Sequence, residues 1–115
     1  MSYFSDLYEY DHETISEVFD DNDDNLGNYR IGHYEDDEFV ITYVGKGNIK
    51  VRLNDHFKDE YHDDYFTFSP EEDDEEMFIQ ECEDFHDNES TLKNKNHPPV
   101  PKSKKCPVCG KEGGK

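Results

Sequence analysis

The sequence predicts an α/β domain: a small, mostly antiparallel three-stranded sheet flanked by helices, with a basic C-terminal tail. Three observations predict it. β-branched and aromatic residues gather into short runs with strand character. Elsewhere the apolar residues recur about every fourth position, as on an amphipathic helix. The eight Phe and eight Tyr lie mostly between Tyr29 and Phe85, which locates the folded body. The predicted order of elements is ββαβα.

Residues 1–26 read as an acidic arm ending in Asp20-Asp21-Asn22-Asp23-Asp24-Asn25. A short helix near His12–Phe19 would put Ile15, Val18 and Phe19 on one face. The domain proper spans 27–92. Tyr29–Tyr34 and Glu38–Val44 read as strands joined by a polar tip, Glu35-Asp36-Asp37, and Gly45 and Gly47 then break the second strand. From Asn48 the residues Ile49, Leu53 and Phe57 step by four, with Val51 partly joining them, giving a helix over 48–58. Arg52 and His56 are spaced i, i+4 and share a face of it. Tyr65–Phe68 is a third strand. Ser69-Pro70-Glu71-Glu72 reads as a helix start, with Ser69 as cap, Pro70 in the first helical position and Glu72 completing a capping box. That helix turns apolar at Met77, Phe78, Ile79, Cys82 and Phe85 and ends near His86–Asn88. Residues 93–115 form the tail, with a Cys106-Pro-Val-Cys109 knuckle expected to pack on the domain.

Charge is unevenly spread over a chain whose formal net charge is -18. Residues 1–92 hold five Lys/Arg against 29 Asp/Glu, whereas residues 93–115 hold seven Lys against one Glu. Such a total disfavours non-specific nucleic-acid binding, which gains by neutralising phosphates. Local fields matter more, and the segment from Ile41 to Lys58 is basic. No apolar run approaches the roughly 20 residues of a membrane span, and no signal-peptide pattern opens the chain. A soluble, cytoplasmic protein with no membrane partner is expected. Three cysteines are too few for a disulfide framework, so CPVC reads as metal or redox chemistry.

Cys106 and Cys109 have the spacing of half a structural zinc site. Cys82 and His86, i, i+4 on the last helix, are the expected second half, and His97 is the rival ligand. A site of this kind would pin the tail to that helix.

Gly27-Asn28-Tyr29 precedes the first strand, Tyr43-Val44-Gly45-Lys46 ends the second, Arg52 and His56 follow on a helix, and Glu81 lies on the last one. "LKNKNHPPVPKSKKCPVC" closes the set. In this order the motifs resemble the GIY-YIG nuclease superfamily over about residues 27–109. The tail is similar to that of restriction-type and uncharacterised small members, in which Asn94 would take the position of a late asparagine. Asn28 departs from the pattern, standing where the family has an aliphatic residue, and the step from Tyr43 to Arg52 is one residue short.

The resemblance implies a metal-dependent DNA endonuclease leaving 5′-phosphate and 3′-hydroxyl ends. Arg52 would face the phosphate oxygens with a planar fork that matches them. Glu81 would hold Mg2+ or Mn2+, ions that need few protein ligands; Glu76 and Glu83 are its competitors. Tyr29 is the expected base or orienter of the attacking water, with Tyr43 beside it and Lys46 and His56 as helpers. DNA is the expected partner, and a protein partner would supply specificity at this length. The acidic body suggests an alternative: an inactive fold, or a DNA mimic, that binds a basic protein. Acidity can also reflect a high-salt cell interior.

Overall fold

The structure, a computed structural model, describes residues 4, 6–19, 25–59, 63–93 and 97–113. The elements are β1 (Tyr8–Glu9), α1 (His12–Val18), β2 (Leu26–Glu35), β3 (Glu38–Asn48), α2 (Ile49–Asp59), β4 (Tyr65–Pro70) and α3 (Asp74–Asp87). The sheet has four strands in the order β1-β4-β2-β3, all antiparallel. The three-stranded sheet expected from the sequence gains β1, a two-residue strand that pairs Tyr8 with Phe66 and Glu9 with Tyr65.

The hairpin between β2 and β3 turns on Asp36 and Asp37, with φ of 50° and 67°. Two consecutive positive φ values match the right-handed twist of the flanking strands, and Asp tolerates them better than most residues. The register shifts between Ile31 and Gly32, which leaves Thr42 as the extra residue of a bulge. The bulge reverses parity along β3, so Ile41 and Val44 pack in the same cluster. β3 also runs on past Gly45 and Gly47 to Asn48, four residues beyond the expected strand end.

Alternation along β2 assigns its two faces. Tyr29 and Ile31 join Tyr10, Ile15, Phe19, Ile49, Leu53 and Phe66 in the main core, under α1 and α2. Asn28 and Arg30 point the other way and reach α3, through Met77 and Asp84. The sheet therefore sits between α1 and α2 on one side and α3 on the other. Asn28 is polar in a buried site because its Nδ2 donates to the Met77 carbonyl at 2.9 Å.

The N-terminal arm is part of this body. Asp11 caps α1 by accepting from the Thr14 N–H at 2.7 Å, Ile15 is fully buried, and the Tyr10 hydroxyl donates to the Leu53 carbonyl at 2.5 Å. Sequence periodicity found α1 but not its docking, because its few apolar residues stand in a strongly acidic segment.

α3 starts later than expected. Ser69 and Pro70 complete β4, paired with Asn28 and Gly27, so they are not available as cap and first turn. Asp73 caps instead, accepting from the N–H groups of Glu75 and Glu76 at 2.8 and 3.2 Å. Asp74, Glu75 and Glu76 then sit at the positive end of the helix dipole. In α2, Asn48 caps Val51, and Val51 itself is exposed rather than part of the apolar row. The Phe57 side chain and Asn94 lie outside the described residues.

After α3 the chain runs along the outer edge of β3. Thr91 donates its hydroxyl hydrogen to the Ile41 carbonyl at 2.7 Å, and the Lys93 N–H donates to the Thr42 carbonyl at 2.8 Å. Leu92 packs with Val44 and Phe85, and Cys106 packs with Phe78 and Cys82. The tail is thus seated on the domain. Among the described residues no helix is long and apolar enough to cross a membrane.

Candidate active site

Tyr29 is the centre of the site. It lies opposite Gly45 in the β2–β3 ladder, and its ring passes directly over that glycine, where a Cβ would overlap it. Only a glycine at the end of the Tyr43-Val44-Gly45 motif lets the ring lie flat there. Gly47, with φ of 120°, gives the backbone the turn that α2 needs two residues later.

α2 then projects two side chains over the ring. His56 is buried, with Nε2 2.7 Å from the Tyr29 hydroxyl. Arg52, one turn earlier and exposed, lies near enough for its charge to act on the same hydroxyl. The half-buried Tyr43 completes the cluster. Its ring stacks on Tyr29 at 6.2 Å and 5°, and meets His56 at 4.3 Å.

Burial raises the Tyr29 phenol far above its ordinary range; Tyr43 adds to the rise and Arg52 opposes it. A standing phenolate at neutral pH is thereby disfavoured.

Glu81 approaches from α3. It is half-buried, and its Oε1 is shielded from solvent with no hydrogen-bond partner among the described residues. Burial pushes its carboxyl up to about 7, against the pull of Lys46 and Arg52. Glu76 and Glu83, its competitors by sequence, are exposed. Tyr29, Tyr43 and His56 thus meet in contact, and Lys46 and Arg52 lie within electrostatic reach of Glu81. Asn94 cannot be assigned to this group.

One supporting pair was not anticipated. Arg30 and Asp84 form an ion pair at 2.5 Å, and Gln80 donates to the same carboxylate at 2.9 Å. Asp84 is buried and lies one turn after Glu81, so the pair fixes the rotation of α3 against β2. The signal was present in the sequence: Arg30 is a lone cation inside an apolar strand, and such a residue needs a buried acid.

A second cluster lies at the far end of α3. His86, His97, Cys106 and Cys109 bring one ligand atom each to within 4.8 Å of one another, a group able to hold a metal ion. Here the expected ligand set is corrected. His97, the rival, takes the fourth place, and Cys82 is excluded from the group. Cys82 is fully buried against Phe78 and Cys106, and burial, then the neighbouring Cys106, raise its thiol well above the ordinary range. An inert core thiol of this kind is a poor ligand. Burial acts in the same direction on Cys106, but the N–H groups of Cys109 and Val108 and the His97 imidazole outweigh it and bring that thiol down to about 5.

No protein-family model, curated protein or solved structure matches the chain.

Proposed function

We propose that the chain is a metal-dependent DNA endonuclease of the GIY-YIG kind. One observation carries the reading: Tyr29, Tyr43 and His56, from three different elements, meet in direct contact, with Arg52 and Glu81 close enough for their charges to act on Tyr29. Phosphodiester hydrolysis places negative charge on non-bridging and leaving oxygens. Arg52, exposed on α2, would present its donors to them.

With His56 in the tautomer that leaves Nε2 free to accept, the Tyr29–His56 contact would supply a proton path. An attacking water would hydrogen-bond the Tyr29 oxygen. As its oxygen bonds to phosphorus, its proton passes to Tyr29, and the Tyr29 proton passes to His56 Nε2, which ends as imidazolium. The 3′ carbon–oxygen group leaves and is protonated by solvent, giving 5′-phosphate and 3′-hydroxyl ends. His56 can accept only while neutral.

Glu81 fits a hard divalent cation, because its buried oxygen lacks a partner among the described residues and its carboxylate is disfavoured without a counter-charge. Mg2+ or Mn2+ held there would neutralise the phosphate and stabilise the leaving oxygen. The basic α2 and the lysines from Lys93 to Lys105 would meet the DNA backbone. The acidic remainder would make binding steeply salt-dependent or reliant on a protein partner for delivery and specificity.

The excess of 29 acids over five cations in residues 1–92 favours a second reading, a binding protein that offers an acidic face to a basic partner. Supercoiled plasmid with Mg2+ or Mn2+ separates the two. The parent is expected to nick or linearise it, and Arg52→Ala and Glu81→Gln are expected to be at least about a hundredfold slower. DNA left intact by the parent with both metals across a salt series would favour the binding protein.

A further inference from the structure

We propose that His86, His97, Cys106 and Cys109 form a closed zinc site that fastens the basic C-terminal segment to α3. The inference does not rest on the nuclease reading. His86 Nε2 and His97 Nε2 are 3.2 Å apart; Cys106 Sγ is 3.4 Å from the first and Cys109 Sγ 3.4 Å from the second. A tetrahedron with Zn–N near 2.05 Å and Zn–S near 2.3 Å has edges of about 3.3 Å between nitrogens and about 3.6 Å between nitrogen and sulfur. The three edges agree to within about 0.2 Å.

The outer partners of the two imidazoles suit metal ligands. His97 Nδ1 is 2.8 Å from the Pro98 carbonyl oxygen, which can only accept. Nδ1 therefore carries the hydrogen, and Nε2 of the neutral ring presents a lone pair to the cluster. His86 Nδ1 faces the Glu89 carboxylate at 3.4 Å. A cation between the two Nε2 atoms, 3.2 Å apart, would be coordinated by both. Outer N–H bonds to a carbonyl and a carboxylate are also what orient ligating imidazoles.

The local fold is built for this. The knuckle closes with the Cys106 N–H donating to the Lys111 carbonyl at 2.8 Å and the Gly110 N–H donating to the Cys106 carbonyl at 2.9 Å. Gly110 takes φ of 79°, where a side chain would be strained. Two soft thiolates and two imidazoles select zinc over Mg2+ or Ca2+, and four protein ligands leave no open position for a substrate. The role is structural: one ion would join α3, the extended stretch from His97 and the knuckle.

The test uses the full chain purified under reductant without chelator. Elemental analysis should find about one zinc per chain. After stripping, Co2+ should give the visible bands of a tetrahedral site with thiolate charge transfer. His97→Ala and Cys109→Ser should each weaken Co2+ binding at least tenfold; Cys109 is exposed, so its variant keeps the fold. Chelation should speed amide exchange in 97–113 at least tenfold and leave β2 and β3 unchanged. A Cys106–Cys109 disulfide with no zinc uptake after reduction overturns the site. Co2+ bound by His97→Ala as tightly as by the parent overturns this ligand set. Unchanged exchange of 97–113 on chelation overturns the fastening.

Discussion

The ring of Tyr29 lies on the backbone of Gly45, its direct partner across the β2–β3 ladder, with no room for a methyl group between them. The glycine is what lets the hydroxyl reach His56. Gly45→Ala must push the ring off its seat. A loss of about 1–3 kcal/mol in urea unfolding is expected from overpacking, with cleavage reduced at least tenfold. An unchanged midpoint would show that the strand yields instead of the ring.

Arg52 separates function from stability. It is exposed, so Arg52→Ala should change stability by no more than about 0.5 kcal/mol. Plasmid cleavage should fall about 10²–10³-fold if the guanidinium meets the phosphate. Arg52→Lys should recover only part, because an ammonium lacks the planar fork. Circular dichroism melts beside cleavage rates decide the matter.

Glu81→Gln should abolish cleavage without lowering stability. The Glu81 carboxyl ordinarily titrates at 4.5 and is raised to about 7, first by burial. The folded state therefore prefers the protonated acid. That preference contributes stability fully below pH 4.5 and is lost as pH rises through about 7. Parent and variant should melt alike near pH 4.5, and the variant should melt higher at pH 8 without divalent metal. A variant that melts lower at pH 8 would mean that the carboxylate has a stabilising partner.

The bulge region carries its own pH signal. His33 Nδ1 is 2.7 Å from Asp63, which also accepts from Thr42, and Nε2 is 3.1 Å from Glu35. Hydrogen bonds to the Asp63 and then the Glu35 carboxylates raise the His33 imidazole, and those from His33 and Thr42 hold Asp63 low against its burial. The raised group contributes stability below its unfolded value of 6.5, lost as pH rises through the folded one. The lowered group contributes above 3.8, lost as pH falls through its folded value. His33→Gln should therefore cost most near pH 5–6 and least above about pH 8. A difference in melting temperature that stays flat with pH would refute the pairing.

Much of the site was legible because its residues come from elements with strong local patterns. Phe39 to Val44 could only be a strand, and the four-residue step from Ile49 could only bring Arg52 and His56 to one side. The contact between Tyr29 and Gly45 was hidden, because it depends on register across a hairpin whose bulge no local rule predicts. β1 is two residues long, below the length at which alternation can be seen. Ser69-Pro70 carried the chemistry of a helix start, but pairing with β2 claimed it and passed the cap to Asp73. His97 and Cys82 were rivals because spacing along a helix favours Cys82, whereas the packing of Phe78 against it turns that sulfur into the core.

Tyr8 pairs with Phe66, and the Tyr10 N–H donates to the Asp64 carbonyl at 3.0 Å. This segment is made before its partners in β4 and therefore waits for them. At about 5–20 residues per second the wait is on the order of seconds. Throughout it Tyr8, Tyr10, Ile15 and Phe19 have no core to enter. Asp6, Glu9, Asp11, Glu13 and Glu17 stand among them, and neighbouring nascent chains bearing the same charges repel one another. The acidity of this segment is suited to the interval before there is a sheet for it to join.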